Sequence, residues 1–182
     1  MTTTRVDRAA LVRRAMVEAV ADLGLEGASM SRVADRAGVA VGTAYVHYDS
    51  KEELLLAAFV EVKHQLGQAA MSGVDMGRET RAIFEAAWRN TLDHLRSDPA
   101  VARFLVQVEV SPLSAAAHEA LSGDDPLSSA AGLFAAELVD LPLEVLYDLS
   151  LAPAVRLAAS GLELSERQVD AVIESCWRAV SR

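Results

Sequence analysis

Residues 29–48 read SMSRVADRAGVAVGTAYVHY, and their punctuation decides the fold. Ser29 stands where a helix needs a cap, ahead of Met30 to Ala37 with Val33 and Ala34 on the inward side. A serine hydroxyl there satisfies an amide that has no partner inside the helix. Gly38 is the stop, because glycine enters the left-handed conformation past a helix end without a Cβ penalty. After a few residues a second short helix runs through about Tyr48. Two short helices around a glycine turn at Gly38-Val39 make a helix-turn-helix, whose second member is narrow enough for the ~12 Å major groove of DNA.

Upstream, Arg5 to Leu23 places Leu11, Val12, Ala15, Met16, Ala19, Val20 and Leu23 at helical spacing, with Gly24 as a natural stop. Downstream, Ser50-Lys51-Glu52-Glu53 is a capping box opening a long apolar helix from Leu54 to about Ala70. Gly73 and Gly77 mark a loop before a helix over Arg78 to Arg96, with Phe84, Trp88, Thr91 and Leu95 on one side. Asp98-Pro99, Ser111-Pro112 and Asp125-Pro126 each put a capping side chain before a proline, predicting helices near 99–109, 112–121 and 126–139. Pro142 starts another, kinked by Pro153 and ended by Gly161 near Ser160. Ser165 and Gln168 form a second capping box, opening a last helix with the stripe Val169, Ile173, Cys176 and Val180. The fold class is all-α, with nine or ten helices. A helix-turn-helix unit over residues 1–53 precedes a helical unit over 54–182.

Composition agrees with that class. Hydrophobic residues make up 52% and aromatics only 5%, so Ala, Val and Leu carry the packing. The net charge of -9 argues against a nucleic-acid partner until its distribution is read. Six Arg and six acids cancel in residues 1–50, so the acidity lies in 51–182. The single cysteine, Cys176, permits no disulfide within the chain and no cysteine-based zinc site. The polar start and the lack of a membrane-length apolar run predict a soluble, cytoplasmic protein.

The first fifty to sixty residues resemble the tetracycline-repressor-like (TetR) regulators. The resemblance rests on Leu11, Ala15, Gly24, Ser29, Val33-Ala34, Ala37-Gly38-Val39, Gly42-Thr43-Ala44-Tyr45-Val46-His47-Tyr48 and Ser50-Lys51-Glu52-Glu53-Leu54. It implies phosphate contacts from Ser29, Thr43, Tyr45, His47 and Lys51. Phosphate contacts position a protein on the duplex, and base edges specify the site. The short side chains of Val41 and Gly42 let the third helix come close to bases, with Val41 able to touch a thymine methyl. Tyr48 is expected to pack the small domain. The sequence departs from the family pattern in the apolar Ala40, Val41 and Val46, which leaves fewer polar groups on the recognition helix.

The resemblance further implies an effector cavity after residue 54 and a four-helix bundle with a second subunit. Phe59, Phe84, Trp88, Phe104 and Phe134 are the candidate pocket residues, and Val169, Ile173, Cys176 and Trp177 the candidate dimer interface. The implied partners are operator DNA, a small molecule and a second copy of the chain. Signatures of catalysis are missing: no Gly-rich phosphate loop, no G-x-S-x-G and no H-E-x-x-H occurs. Glu61-Val62-Lys63-His64 has the E-x-x-H spacing of helical di-iron sites, but no second copy exists and a solvated helix face is the simpler reading. No catalytic residue, metal or cofactor is expected. The competing reading is an all-helical small-molecule carrier or partner-binding module with a vestigial helix-turn-helix.

Overall fold

Asp7 opens the first helix: its carboxylate accepts from the amides of Ala9 and Ala10 at 3.0 and 3.3 Å. In the computed structural model, which describes residues 7–121 and 137–182, α1 (Arg8–Gly27) follows. Gly24 leaves the helical conformation (φ 76°, ψ 168°), but a further turn runs on to Gly27, so the expected stop is a kink. Next come α2 (Met30–Ala37), α3 (Val41–His47) and α4 (Lys51–Ala70). Ser50 caps α4 by accepting from the amide of Glu53 at 3.0 Å. The return bond from Glu53 reaches one residue further back than a capping box requires, to the amide of Asp49 at 2.6 Å.

The body continues with α5 (Thr80–Ser97), α6 (Pro99–Glu109) and α7 (Ser114–Ala120). The region expected to hold one kinked helix from Pro142 to Ser160 holds two, α8 (Leu143–Ser150) and α9 (Ala152–Ser160). Pro153 has no amide to return to the Leu149 carbonyl, so the ladder breaks at Leu151. The last helix is α10 (Glu166–Val180), where Gln168 Oε1 accepts from the Ser165 amide at 2.9 Å. The helix expected over 126–139 lies mostly outside the described residues. Its described end is not helical: the Val139 amide donates to Val180 at 2.8 Å, and Arg182 to Glu137 at 3.0 Å. The fold is all-α, with ten helices among the described residues. None of those helices is long and apolar enough to cross a membrane.

One core runs through the described helices, because α4 buries Leu54, Leu55, Ala58, Phe59, Val62 and Leu66 along its length. Around it, α1 packs on α2, α4 and α6, α5 packs on α4, and α9 closes over α5 and α6. Trp88, Phe59 and Phe104 are its largest fully buried side chains. Polar ties join the head to the body. Gln107 donates to the Val20 carbonyl at 2.9 Å, and Arg14 of α1 pairs with Asp98.

Cys176 sits inside α10's buried stripe, where burial pushes its thiol pKa up. The nucleophile is the thiolate, so both terms suppress reaction. Ellman's reagent at pH 8 is therefore expected to label less than a tenth of the native thiol in a time that labels the unfolded chain completely. Rapid stoichiometric labelling of native protein would show that α10 is not seated as described.

Candidate nucleic-acid interface

The motif is built from two turns with identifiable causes. Ser29 Oγ accepts from the Arg32 amide at 3.4 Å and starts α2. At its other end Gly38 adopts φ 67°, ψ 32°. The Gly38 amide donates to Asp35 at 3.2 Å and the Val39 amide to Ala34 at 3.0 Å. That is a Schellman stop, and it satisfies carbonyls that α2 leaves open. The chain then turns into α3, which docks through the fully buried Ala44, while Val33 and Ala34 of α2 and Tyr48 lie in the same core.

This docking sets what α3 presents outward. Val41, Gly42, Tyr45, Val46 and His47 are exposed and Thr43 is half-buried. Val46 is 80% exposed and Tyr45 50%. A Cβ on Gly42 would meet nothing within 4 Å, so the chain's own packing does not require glycine there. Ser29 is exposed at the start of α2. Lys51 is half-buried at the start of α4, its ammonium donating to the Leu25 carbonyl at 2.6 Å. That bond ties α4 to the turn beyond the Gly24 kink, so Lys51 already has a structural role.

Arg13 is the residue that sequence reasoning overlooked. From α1 it donates to the Tyr48 hydroxyl at 2.7 Å and pairs through Nε with Glu61 of α4. The hydrogen bond to Glu61 raises the guanidinium pKa further above its ordinary value. Three helices meet at this one side chain. The Glu61 to His64 stretch is also not the solvated face expected: Val62 and Lys63 are buried, with the Lys63 ammonium 3.9 Å from the Tyr147 ring centroid. Among the described residues no cluster of three or more His, Cys, Asp or Glu could hold a metal.

The candidate pocket residues do not converge on one opening. Phe59, Trp88 and Phe104 are fully enclosed in the core, and Phe134 lies outside the described residues. Phe84 is half-buried, 5.4 Å from Trp177 between ring centroids. Both rings line a cleft of about 240 Å³ with Arg81, Glu85, Asp170, Ile173 and Glu174. The interface assignment needs correction. Val169, Ile173 and Cys176 are buried inside this chain, leaving only Trp177 of that set partly exposed. An apolar stripe at helical spacing says that something covers it; here the cover is the chain's own body. Apolar side chains that remain exposed include Leu141, Leu143, Val145 and Leu149, at and just before α8.

Comparison with known proteins agrees with this layout. Residues 12–58 match bacterial regulatory proteins of the tetR family, and residues 81–181 match a tetracyclin repressor-like C-terminal domain. The chain is 27% identical over 203 residues to an uncharacterized HTH-type transcriptional regulator of Haemophilus influenzae, with all of both sequences covered. A crystal structure of a TetR-family regulator from H. influenzae matches at a TM-score of 0.78 and 25% identity, covering all of both chains. A Shewanella protein placed in the same family matches at 0.81 and 23% identity, covering 96% of this chain and 98% of that one.

Proposed function

This chain belongs to the tetR family of bacterial transcriptional regulators, and from that premise we propose that it is a cytoplasmic one-component repressor. Residues 1–53 bind a palindromic operator, and residues 54–182 dimerise and bind a small apolar or aromatic effector. The observation that carries the reading is α3, docked by Ala44 with Val41, Gly42, Tyr45, Val46 and His47 facing out. Thr43, Tyr45 and His47 supply donors to phosphate, Ser29 adds a hydroxyl at the N-terminus of α2, and Lys51 adds charge at the start of α4. The second copy docks on the exposed apolar side chains of α8, Val145 and Leu149 on one face and Leu143 at its start with Leu141 beside it, and on Trp177.

Regulation follows from α4. It starts next to the motif at Lys51 and carries Phe59 into the same core that buries Trp88 and Phe104. An effector that binds one arrangement of that core better shifts the spacing of the two recognition helices, which must fit half-sites ~34 Å apart. A coupling of ~1–3 kcal/mol changes operator affinity about 5–150-fold. Selection of bound duplexes from random DNA at low salt tests the whole reading. It is expected to enrich a two-fold sequence, bound by protein that sediments as a dimer at micromolar concentration. Absence of any enriched sequence would favour a carrier or partner-binding module.

A further inference from the structure

We propose that this chain reads bases through apolar contact: Val41 and Val46 of α3 recognise the C5-methyl groups of thymines in the major groove. The inference rests on the DNA-binding reading above and names the chemistry of its specificity. Polar readout of base edges uses Arg or Lys on guanine, Asn or Gln on adenine, and Asp or Glu on cytosine. Helix α3 contains none of these residues, and its polar side chains, Thr43, Tyr45 and His47, are the ones assigned above to phosphate. The cations flanking it are held by protein groups. Arg32 donates to the Gly27 carbonyl at 2.7 Å, Arg36 pairs with Asp22 at 2.9 Å, and Lys51 is bound to Leu25.

What α3 does offer is apolar. Val46 is 80% exposed and Val41 36%; five residues apart, they stand about 140° from each other around the helix and so face different positions along the groove. Neither the helix nor the core accounts for a valine at 46. A β-branched residue forms helix less readily than alanine, and its side chain stands in solvent. Gly42 forms helix less readily than alanine, yet it stands in a place where a Cβ would strike nothing of this chain. An outside surface brought close to α3 gives the glycine a reason and gives the valines a partner. In the major groove the apolar group on offer is the C5-methyl of thymine, presented by A·T pairs and not by G·C pairs.

The test uses the full-length protein and the duplex recovered by selection, with single thymines replaced by deoxyuridine, which removes the methyl and keeps the pairing. Burial of one such group corresponds to about a fourfold change in affinity, so replacement in both half-sites is expected to weaken binding roughly fifteenfold. Val46→Ala and Val41→Ala, both at exposed positions, are expected to keep their helicity and each to lose part of the preference for thymine over uracil, and the double variant to bind the two duplexes nearly alike. That loss of discrimination in a mutant cycle separates methyl contact from a change in DNA shape. If the wild type binds every uracil-substituted duplex as tightly as the thymine one, the apolar readout is wrong while the DNA-binding reading stands. If no duplex is bound with sequence preference, both fall.

Discussion

Trp88→Ala is expected to lower the unfolding free energy by about 3–5 kcal/mol, the cost typical of emptying a large enclosed aromatic site. Three observations put Trp88 at the top of that range. Its side chain is fully buried on α5. Its indole N–H donates to the Ser150 carbonyl at 3.0 Å, so it also ties α5 to the end of α8. It belongs to the one continuous core that also holds Phe59 and Phe104, so the void would open inside that core. Trp88→Phe separates the terms, because it keeps much of the volume and removes the donor. It is expected to cost about 1–3 kcal/mol, the penalty of leaving a buried carbonyl unmet. Native domains hold only about 5–15 kcal/mol in all, so the alanine variant should sit close to its unfolding threshold. Urea titrations followed by circular dichroism, at one fixed protomer concentration because a dimer's stability depends on it, measure both numbers. A loss under about 1 kcal/mol for Trp88→Ala would mean that the ring is not enclosed.

The glycines, prolines and caps act within a turn or two of themselves, so Gly38, Ser50, Pro99 and Ser165 mark their helix ends directly. Apolar periodicity told that α10 buries Val169, Ile173, Cys176 and Val180, since the repeat is a property of one helix. What covers a stripe is a property of two elements, and nothing local encodes the second. Assigning Val169, Ile173 and Cys176 to a partner was therefore a choice between covers that the spacing leaves open. Lys63 is hidden from sequence for a related reason. A charged residue in a helix reads as solvated, but its stem packs in the core while its ammonium lies over the Tyr147 ring, which is 84 positions away in sequence. Within the motif, the residues named on α3 rest on the family resemblance; the exposure of Val46 follows from the docking of Ala44, which periodicity in a seven-residue helix does not single out.

Arg13 was illegible by the same logic, and it carries the second large expectation. Its guanidinium joins α1, the Tyr48 hydroxyl at the end of α3, and Glu61 of α4. Tyr48 follows α3 directly and accepts no freedom of its own, being buried with its hydroxyl engaged. Removing Arg13 is therefore expected to loosen α3 against α4. Arg13→Met keeps the apolar stem and deletes both donors. Hydrogen bonds to charged groups are worth about 1.5–3 kcal/mol each, and the pair here is partly open to solvent, which places the loss at the lower end. Operator affinity is expected to fall about tenfold or more, because each subunit of a dimer loses the same restraint. A role confined to stability would lower the unfolding free energy and leave affinity intact once the protein is folded, so both are measured at a temperature well below the transition. Tyr48→Phe should reproduce part of the affinity loss, and Glu61→Gln another part. The Arg13–Glu61 mutant cycle should show the two losses to be coupled, as expected for groups in direct contact. If Arg13→Met binds the selected operator like the wild type, α1 does not hold the recognition helix through this residue. The link from α4 to the DNA would then have to run through Lys51 and the Leu25 carbonyl instead.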